Sequence, residues 1–291
     1  MKSLVYLLVL MVGLTSSCGT KNRHETLGGG YGLGEVVDSN RIGDWQFFFE
    51  NDKLEAEGTF VNDLEVGRWT FYHGNGTLKQ ESYWKNGCLD GGYHLFYRNG
   101  QKQTEGAFSM NGCSGRWTYY NEEGVLISSG LFSENKKVGE WKNFYSNGRP
   151  KLIENYVDSI LHGTVSGWFE NGQEEYNGFY DKGLRDQLWT FYYENGELRD
   201  QTMWEKGVKK GPSISYYLTG KKNIIGNFEN DLEEGPLVKY YSNGNIEMEG
   251  HYSKGLRDGT FRYYSEIGTL YREVIFEKGI YTKEIRIEDE Y

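Results

Sequence analysis

The chain has 291 residues, with 40 Gly, 24 Tyr, 15 Phe and 8 Trp but only 3 Pro and 3 Cys. Gly at about twice its usual ~7%, beside so many rings, argues against a disordered chain and against an ordinary α/β enzyme, and the glycines lack the every-third spacing of collagen. A net charge of −10, from 42 acidic against 32 basic side chains, argues against a nucleic-acid surface.

In chain order, Lys2 precedes the apolar run Leu4 to Leu14, and Thr15-Ser16-Ser17 are small residues before Cys18. The run is too short to cross a ~30 Å hydrocarbon core, so residues 1–17 read as an export signal. Cys18 directly after Ser16-Ser17 resembles the lipobox of bacterial lipoproteins. That resemblance implies an acylated Cys18 and membrane attachment through the lipid alone. With Gly19-Thr20-Lys21 next, it implies an outer-membrane lipoprotein facing the periplasm, surface display being the other placement. Residues 18–42, containing Gly28-Gly29-Gly30-Tyr31-Gly32-Leu33-Gly34, read as a Gly-rich tether and N-terminal cap. No strand and helix flank these glycines in the order that a nucleotide loop needs.

From residue 43 a 24-residue period runs without a slip to 282: Gly43, Gly67, Gly91, Gly115, Gly139, Gly163, Gly211, Gly235 and Gly259 open nine of ten repeats, and Gln187 opens the other. Nine positions on stands a second turn residue, Asp52 in the first repeat and Gly from Gly76 to Gly268 in the rest, six of them preceded by Asn, as in Asn75-Gly76. Asn-Gly between aromatic and β-branched residues predicts a two-residue type I′ hairpin turn, with positive φ at both residues. Twenty positions after each start, Asp63, Gly87, Asn111 and their equivalents reverse the chain again.

The rings keep the same period. The fifth and seventeenth positions after each start are aromatic in all ten repeats, as in Tyr72 and Trp84. A two-residue turn would set the seventeenth position opposite the opening Gly, and the second (Trp45, Trp69, Tyr93, Trp117, Trp141, Trp189) opposite the fifteenth, which is often Gly (Gly58, Gly106, Gly130). A ring lying across a bare glycine recovers packing that the Gly forfeits. Ordering one repeat costs more than its few large side chains return, so neighbouring hairpins must pack together. The expected fold is all-β: an elongated, twisted single antiparallel sheet of about ten tandem hairpins. Residues 283–291 supply a C-terminal cap strand and an acidic tail, Glu288-Asp289-Glu290.

Gly67-Arg68-Trp69-Thr70-Phe71-Tyr72 with Asn75-Gly76, then Tyr83-Trp84-Lys85-Asn86-Gly87, resembles the MORN repeat in its bacterial variant, also called the YwqK-type antitoxin repeat. The resemblance covers residues 43–282 and implies a non-catalytic scaffold that binds a protein partner, needs no cofactor and is not an enzyme. An antitoxin-like immunity protein is a further reading that it implies.

The side chains offer no other chemistry. His24, His73, His94, His162 and His251 fall at unrelated positions, and no nucleophile elbow, P-loop or zinc spacing is present. Glu57, Glu81 and Glu105 share a position and read as a row on a solvated face. Cys88 and Cys113 occupy neighbouring turns, and a regular stack sets them ~10 Å apart, too far for a disulfide unless the turns lean together. One candidate binding surface stands out: Trp45, Phe47, Trp69, Phe71, Tyr93, Trp117, Tyr119 and Trp141, which would serve a protein partner or stack sugar rings. Metal ligands are not among the expectations.

Overall fold

The computed structural model describes residues 22–26 and 29–287. The export signal, Cys18 and the acidic Glu288-Asp289-Glu290 lie outside the described residues. Among the described residues there is no helix, hence none able to cross a membrane; all regular structure is strand, and every strand pair is antiparallel within one 25-stranded sheet. The chain divides into two compact units, Met1–Val138 with Ser146–Gly148, and Gly139–Tyr145 with Arg149–Tyr291.

Each repeat is a hairpin, as its turn residues predict. In the first unit Leu64–Tyr72 pairs with Leu78–Lys85, setting Gly67 opposite Trp84 and Trp69 opposite Ser82. The expected register therefore holds along the strands and shifts near the turn, where Tyr72 faces Leu78. The reason is the turn type. His73 N–H donates to the Thr77 carbonyl (2.8 Å) and Gly76 N–H to the His73 carbonyl (2.7 Å), a three-residue loop in which positive φ falls on Gly76 (92°) and not on Asn75. This is the type I turn with a following bulge rather than type I′. The two-residue type I′ turn does occur, at the reversals between repeats: Asn62 and Asp63 have φ of 50° and 65°, Lys206 and Gly207 of 49° and 88°.

The expected Asn role is thus corrected. Asn171 Oδ1 accepts from Gln173 N–H within its own loop (2.8 Å), and its Nδ2 donates to the Glu194 carbonyl of the next loop (2.8 Å). Asn99 and Asn243 repeat both bonds. The amide is selected because it holds its own turn and the neighbouring one together. Two residues earlier, Tyr97, Tyr145, Tyr193, Tyr217 and Tyr241 each donate a hydroxyl to a carbonyl 23 residues on, at 2.6 to 2.9 Å. At the opposite edge Asn111 N–H donates to the Leu89 carbonyl (2.8 Å) while Leu89 N–H donates to Asn111 Oδ1 (2.7 Å).

Residues 31–42 also depart from expectation. Tyr31–Val37 pairs with Asn22–Glu25 on one side and with Asn40–Phe48 on the other. Part of the supposed tether is therefore a further hairpin in the same phase, with Asp38 and Ser39 as its type I′ turn (φ 48° and 69°). Ile280–Arg286 forms the expected cap strand, beginning at residue 280 rather than 283.

The ring-on-glycine contact is present but crosses a hairpin boundary. A Cβ built on Gly58 would lie 2.2 Å from the Trp69 ring of the next repeat, not against Trp45, its register partner. Trp45 lies likewise on Gly34, Trp117 on Gly106, Trp189 on Gly178 and Phe261 on Gly250, all at 2.2 to 2.4 Å. At the opening glycines the seventeenth-position ring is the register partner, as Trp84 is of Gly67, but a Cβ built there meets no such ring: Gly91 would meet Tyr83, Gly163 Asn155 and Gly211 Met203, and the other opening glycines nothing within 4 Å. Around Gly67 a Cβ would meet nothing within 4 Å, and its φ of 67° is what favours glycine there, Gln187 alone adopting the same region at an opening position. It sits in a bulge, where the register shifts between Glu57 and Thr59 on the facing strand.

Two substitutions separate these causes. Gly58→Ala overpacks the Trp69 ring and should cost ~1–3 kcal/mol with a shift in Trp emission. Gly67→Ala should cost ~1 kcal/mol through backbone strain and leave the emission unchanged, both being read from denaturant midpoints and fluorescence.

Candidate functional site

Five of the eight candidate rings are buried and three half-buried, and Trp45, Phe47 and Trp69 belong to one core cluster with Phe60, against which Phe71 packs. Trp45 (0%), Phe47 (6%), Trp69, Trp117 (both 4%) and Trp141 (3%) are buried, and Phe71, Tyr93 and Tyr119 are half-buried. Alternation along each strand puts the second and fourth positions on one face, where their rings stack: Trp45 on Phe47, Trp69 on Phe71 and Trp117 on Tyr119, with centroids 5.7 to 6.3 Å apart. Between repeats the seventeenth position inserts edge-on. Phe60 meets Trp45 at 6.0 Å and Trp69 at 4.9 Å, and Phe108 meets Tyr93 at 5.2 Å and Trp117 at 5.1 Å. Covered on both sides, these tryptophans present no free ring face for a sugar. Burial pushes the Tyr119 hydroxyl up to about 12, so it is neutral at any physiological pH.

The opposite face carries paired charges. Glu57 accepts from the Tyr72 hydroxyl (2.9 Å), Glu81 pairs with Arg68, and Glu105 pairs with Lys102 (2.8 Å). The Lys102 bond holds the Glu105 carboxyl below its ordinary value. Each carboxylate is thus committed to a neighbour. His73 bonds the Phe96 carbonyl (2.9 Å), and His94 and His162 lie 3.8 and 3.2 Å from Glu105 and Asp181. Among the described residues no three His, Cys, Asp or Glu side chains converge as metal ligands.

Cys88 and Cys113 are free thiols. They stand at consecutive positions of their respective repeats, which alternate between faces, so the turns cannot bring the sulfurs together. Burial raises the Cys113 thiol, which shares the aromatic face with Tyr93 and Tyr119.

The placement of one set of residues escaped the sequence reading, and a second set, legible there as a row of Leu and Ile, proves exposed. Cations two residues before the opening position lie on the rings: Arg41 over Phe60 (3.9 Å), Arg185 over Trp189 (4.3 Å) and Trp204 (5.2 Å), Lys209 over Phe228 (5.0 Å), and Arg257 over Phe261 (5.1 Å). Their shared position in the period was the available signal. The residue just before them is often aliphatic and stands out at the edge, as Leu64 (46% exposed) does in the first unit and Leu184, Leu232, Leu256 (46 to 49%) and Ile280 (70%) do in the second.

Five segments, residues 41–62, 65–86, 137–158, 188–206 and 233–254, match the family described as MORN repeat variant, all in the phase set by the opening glycines. The chain belongs to the MORN-repeat family. No curated protein matches this MORN-repeat chain. Solved structures similar to it include the TcdB2-TccC3-Cdc42 complex (10% identity, TM-score 0.21, covering 85% of this chain and 18% of that one). Another is a mutant Tc holotoxin pore from Photorhabdus luminescens (11%, 0.21, 92% and 15%). A third is TcdB2-TccC3 without its hypervariable C-terminal region (11%, 0.17, 87% and 18%). The MORN-repeat chain spans only 15 to 18% of those chains, and TM-scores this low leave the likeness without weight for fold or function.

One ion pair gives a pH test of the turn edge. Burial acts to raise the Asp63 carboxyl, but the Arg41 side chain (Nε 2.7 Å) and backbone N–H (3.0 Å) outweigh it and hold the group below its ordinary value. A depressed carboxylate stabilises the fold above its unfolded value, ~3.9, and that contribution is lost as pH falls through the folded value. The stability difference between the wild type and Asp63→Asn should therefore be full at neutral pH and shrink below about pH 4, measured as thermal midpoints across an acid titration.

Proposed function

We propose that this MORN-repeat chain is a non-catalytic, lipid-anchored protein of the bacterial envelope that serves as a scaffold for another protein. MORN repeats are in general protein- or membrane-binding modules. The supporting observation here is the aliphatic residue left standing at successive repeat edges. In the second unit Ile160, Leu184, Leu232, Leu256 and Ile280 each expose 46 to 70% of their surface while the rings beside them are covered. Evenly spaced apolar side chains at the margin of a charged sheet suit a protein partner that covers them. Burial of Trp45, Trp69 and Trp117 weighs against the sugar-stacking alternative.

Because the aliphatics are exposed, replacing Leu184, Leu232 and Leu256 together by Ser should leave stability within ~1.5 kcal/mol of wild type. The same variant should lose the polypeptide that cross-links to the wild type in envelope extracts. An unchanged cross-linked partner would refute the role given to the row.

For the anchor, the expectation is fatty-acid labelling of the wild type that Cys18→Ser abolishes, with globomycin-sensitive processing. Labelling that survives Cys18→Ser would refute acylation there.

A further inference from the structure

Among the described residues the sheet has two margins, and they are complementary. Asn22–Glu25 pairs on one side only, with Tyr31 to Gly34, and Ile280–Arg286 pairs on one side only, with Arg272 to Glu277. By its place in the period Ile280–Arg286 is the first strand of a repeat: Ile285 stands at the second position and Ile287 at the fourth, the places of Trp69 and Phe71 in theirs. Tyr31–Val37 is a second strand, with Gly34 at the fifteenth position and Val36 at the seventeenth.

The first strand already beside Tyr31–Val37 matches it poorly. Asn22–Glu25 is four residues long, and it leaves Glu35, Val36 and Val37 without a strand partner on that side among the described residues. His24 faces Gly32, as Phe71 faces Gln80 in a regular repeat. Its ring lies on Trp45 (centroids 5.1 Å), as Phe47 lies on Trp69 (6.2 Å). Unlike a phenyl ring it buries a nitrogen, Nε2, that has no hydrogen-bond partner, which costs stability.

The far margin is longer, apolar and open. Ile280, Tyr281 and Ile287 are 70, 55 and 40% exposed. Ile287 N–H donates inward to the Tyr271 carbonyl (3.0 Å), so by alternation Arg286 turns its own N–H and carbonyl outward. Elsewhere the residue equivalent to Ile280 lies on the following turn: Leu256 stands 3.2 Å from a Cβ built on Gly279, and Ile160 3.6 Å from one on Gly183. No such turn adjoins Ile280 among the described residues. The 3.6 Å left by an isoleucine is ordinary contact for a residue that has a Cβ, and Ser39, in the turn after Val37, is such a residue.

We infer that Ile280–Arg286 of one copy replaces Asn22–Glu25 beside Tyr31–Val37 of a second copy, so that the sheet continues in phase from chain to chain. The regular register, Gly67 with Trp84 and Trp69 with Ser82, then sets Lys283 opposite Val36, Ile285 opposite Gly34 and Ile287 opposite Gly32, where it meets Trp45 in place of the imidazole. Ile280 covers the Asp38-Ser39 turn of the second copy. Glu284 falls opposite Glu35, a repulsion that Arg272 and Arg286, 3.5 and 2.9 Å from Glu284, offset. Because the two margins differ, the contact is heterologous and leaves a donor strand and an acceptor strand at the ends of any row of copies. Such edge-to-edge addition satisfies backbone groups that an open margin leaves to water. Assembly of this kind is independent of the scaffold role.

The test uses the full chain with Cys18→Ser, which carries no acyl group, in sedimentation velocity over a wide concentration range. Association should grow with concentration and pass beyond a dimer. Arg286→Pro removes an outward N–H from an edge strand and should leave a monomer. Ile280→Asp with Ile287→Asp, which keeps the backbone intact, should block donation in the same way. In a Cys88→Ser, Cys113→Ser background, Arg23→Cys with Leu33→Cys joins register partners and should lock the acceptor closed until reductant is added. Mixed, the Asp pair and the locked chain should form a one-to-one dimer and nothing larger, since one keeps only the acceptor and the other only the donor. His24→Phe should weaken association at least threefold by holding Asn22–Glu25 on Trp45. A wild type that stays monomeric, association that neither block reduces, or a mixture that fails to pair would each overturn the inference.

Discussion

The contact on which the repeats depend is an indole laid flat on a backbone that carries no Cβ. Trp69 can reach the position above Gly58 only because that residue has no side chain; a methyl there would stand 2.2 Å from the ring. A tryptophan buries on the order of 150–250 Å², and at ~25 cal/mol per Å² that outweighs the ~1 kcal/mol entropic cost of a glycine in a strand. The ring and the glycine belong to successive repeats, so the gain appears only when two hairpins are side by side. A lone hairpin would expose its Trp and keep its flexible Gly.

Edge-on insertion of Phe60 and Phe108 between successive rings gives the pairing its direction along the sheet. At both margins polar side chains then lock the spacing that the rings set. Tyr193 and Asn171 reach the next loop at one edge and Asn111 the previous turn at the other. These bonds are short and repeated, and their partners are backbone groups that would otherwise face water at the ends of strands. Each adds about 1 kcal/mol or less in such exposed positions. Their larger effect is on register, since a slip of one residue would break every one of them together.

The hairpins, their phase and the face that carries the rings were legible because ten copies vote on each position, and a glycine or a tryptophan has few reasons to recur. Turn type was not. Asn-Gly satisfies a type I′ turn and a type I turn with a bulge equally well, and the choice lies in whether Asn75 needs positive φ or an amide that reaches Arg98. A period likewise cannot tell which of two equivalent neighbours a ring covers. Trp69 is one strand away from both Ser82 and Gly58, and only the bulge at Gly67 swings it over the latter. The candidate surface was misplaced for a related reason: periodic aromatics mark a face of the sheet, while whether that face is open or filled depends on the rings of the adjoining repeats.

Once packing consumes the regular positions, chemistry is left to the irregular ones. A repeat protein of this kind gains stability wherever a unit conforms, so a departure that forfeits a ring contact needs a compensating use. Ser213 and Ser215 forfeit two, and Thr202, which replaces the usual glycine beneath the missing ring, shows that the loss is matched on the facing strand by a Thr–Ser hydrogen bond. Gln187 departs differently: it keeps the left-handed backbone of the opening glycine (φ 61°), and Trp189 two residues on remains buried at 1%. A substitution that preserves the backbone and the core needs no compensation, whereas one that removes a ring has to be matched on the facing strand, as Thr202 matches Ser213.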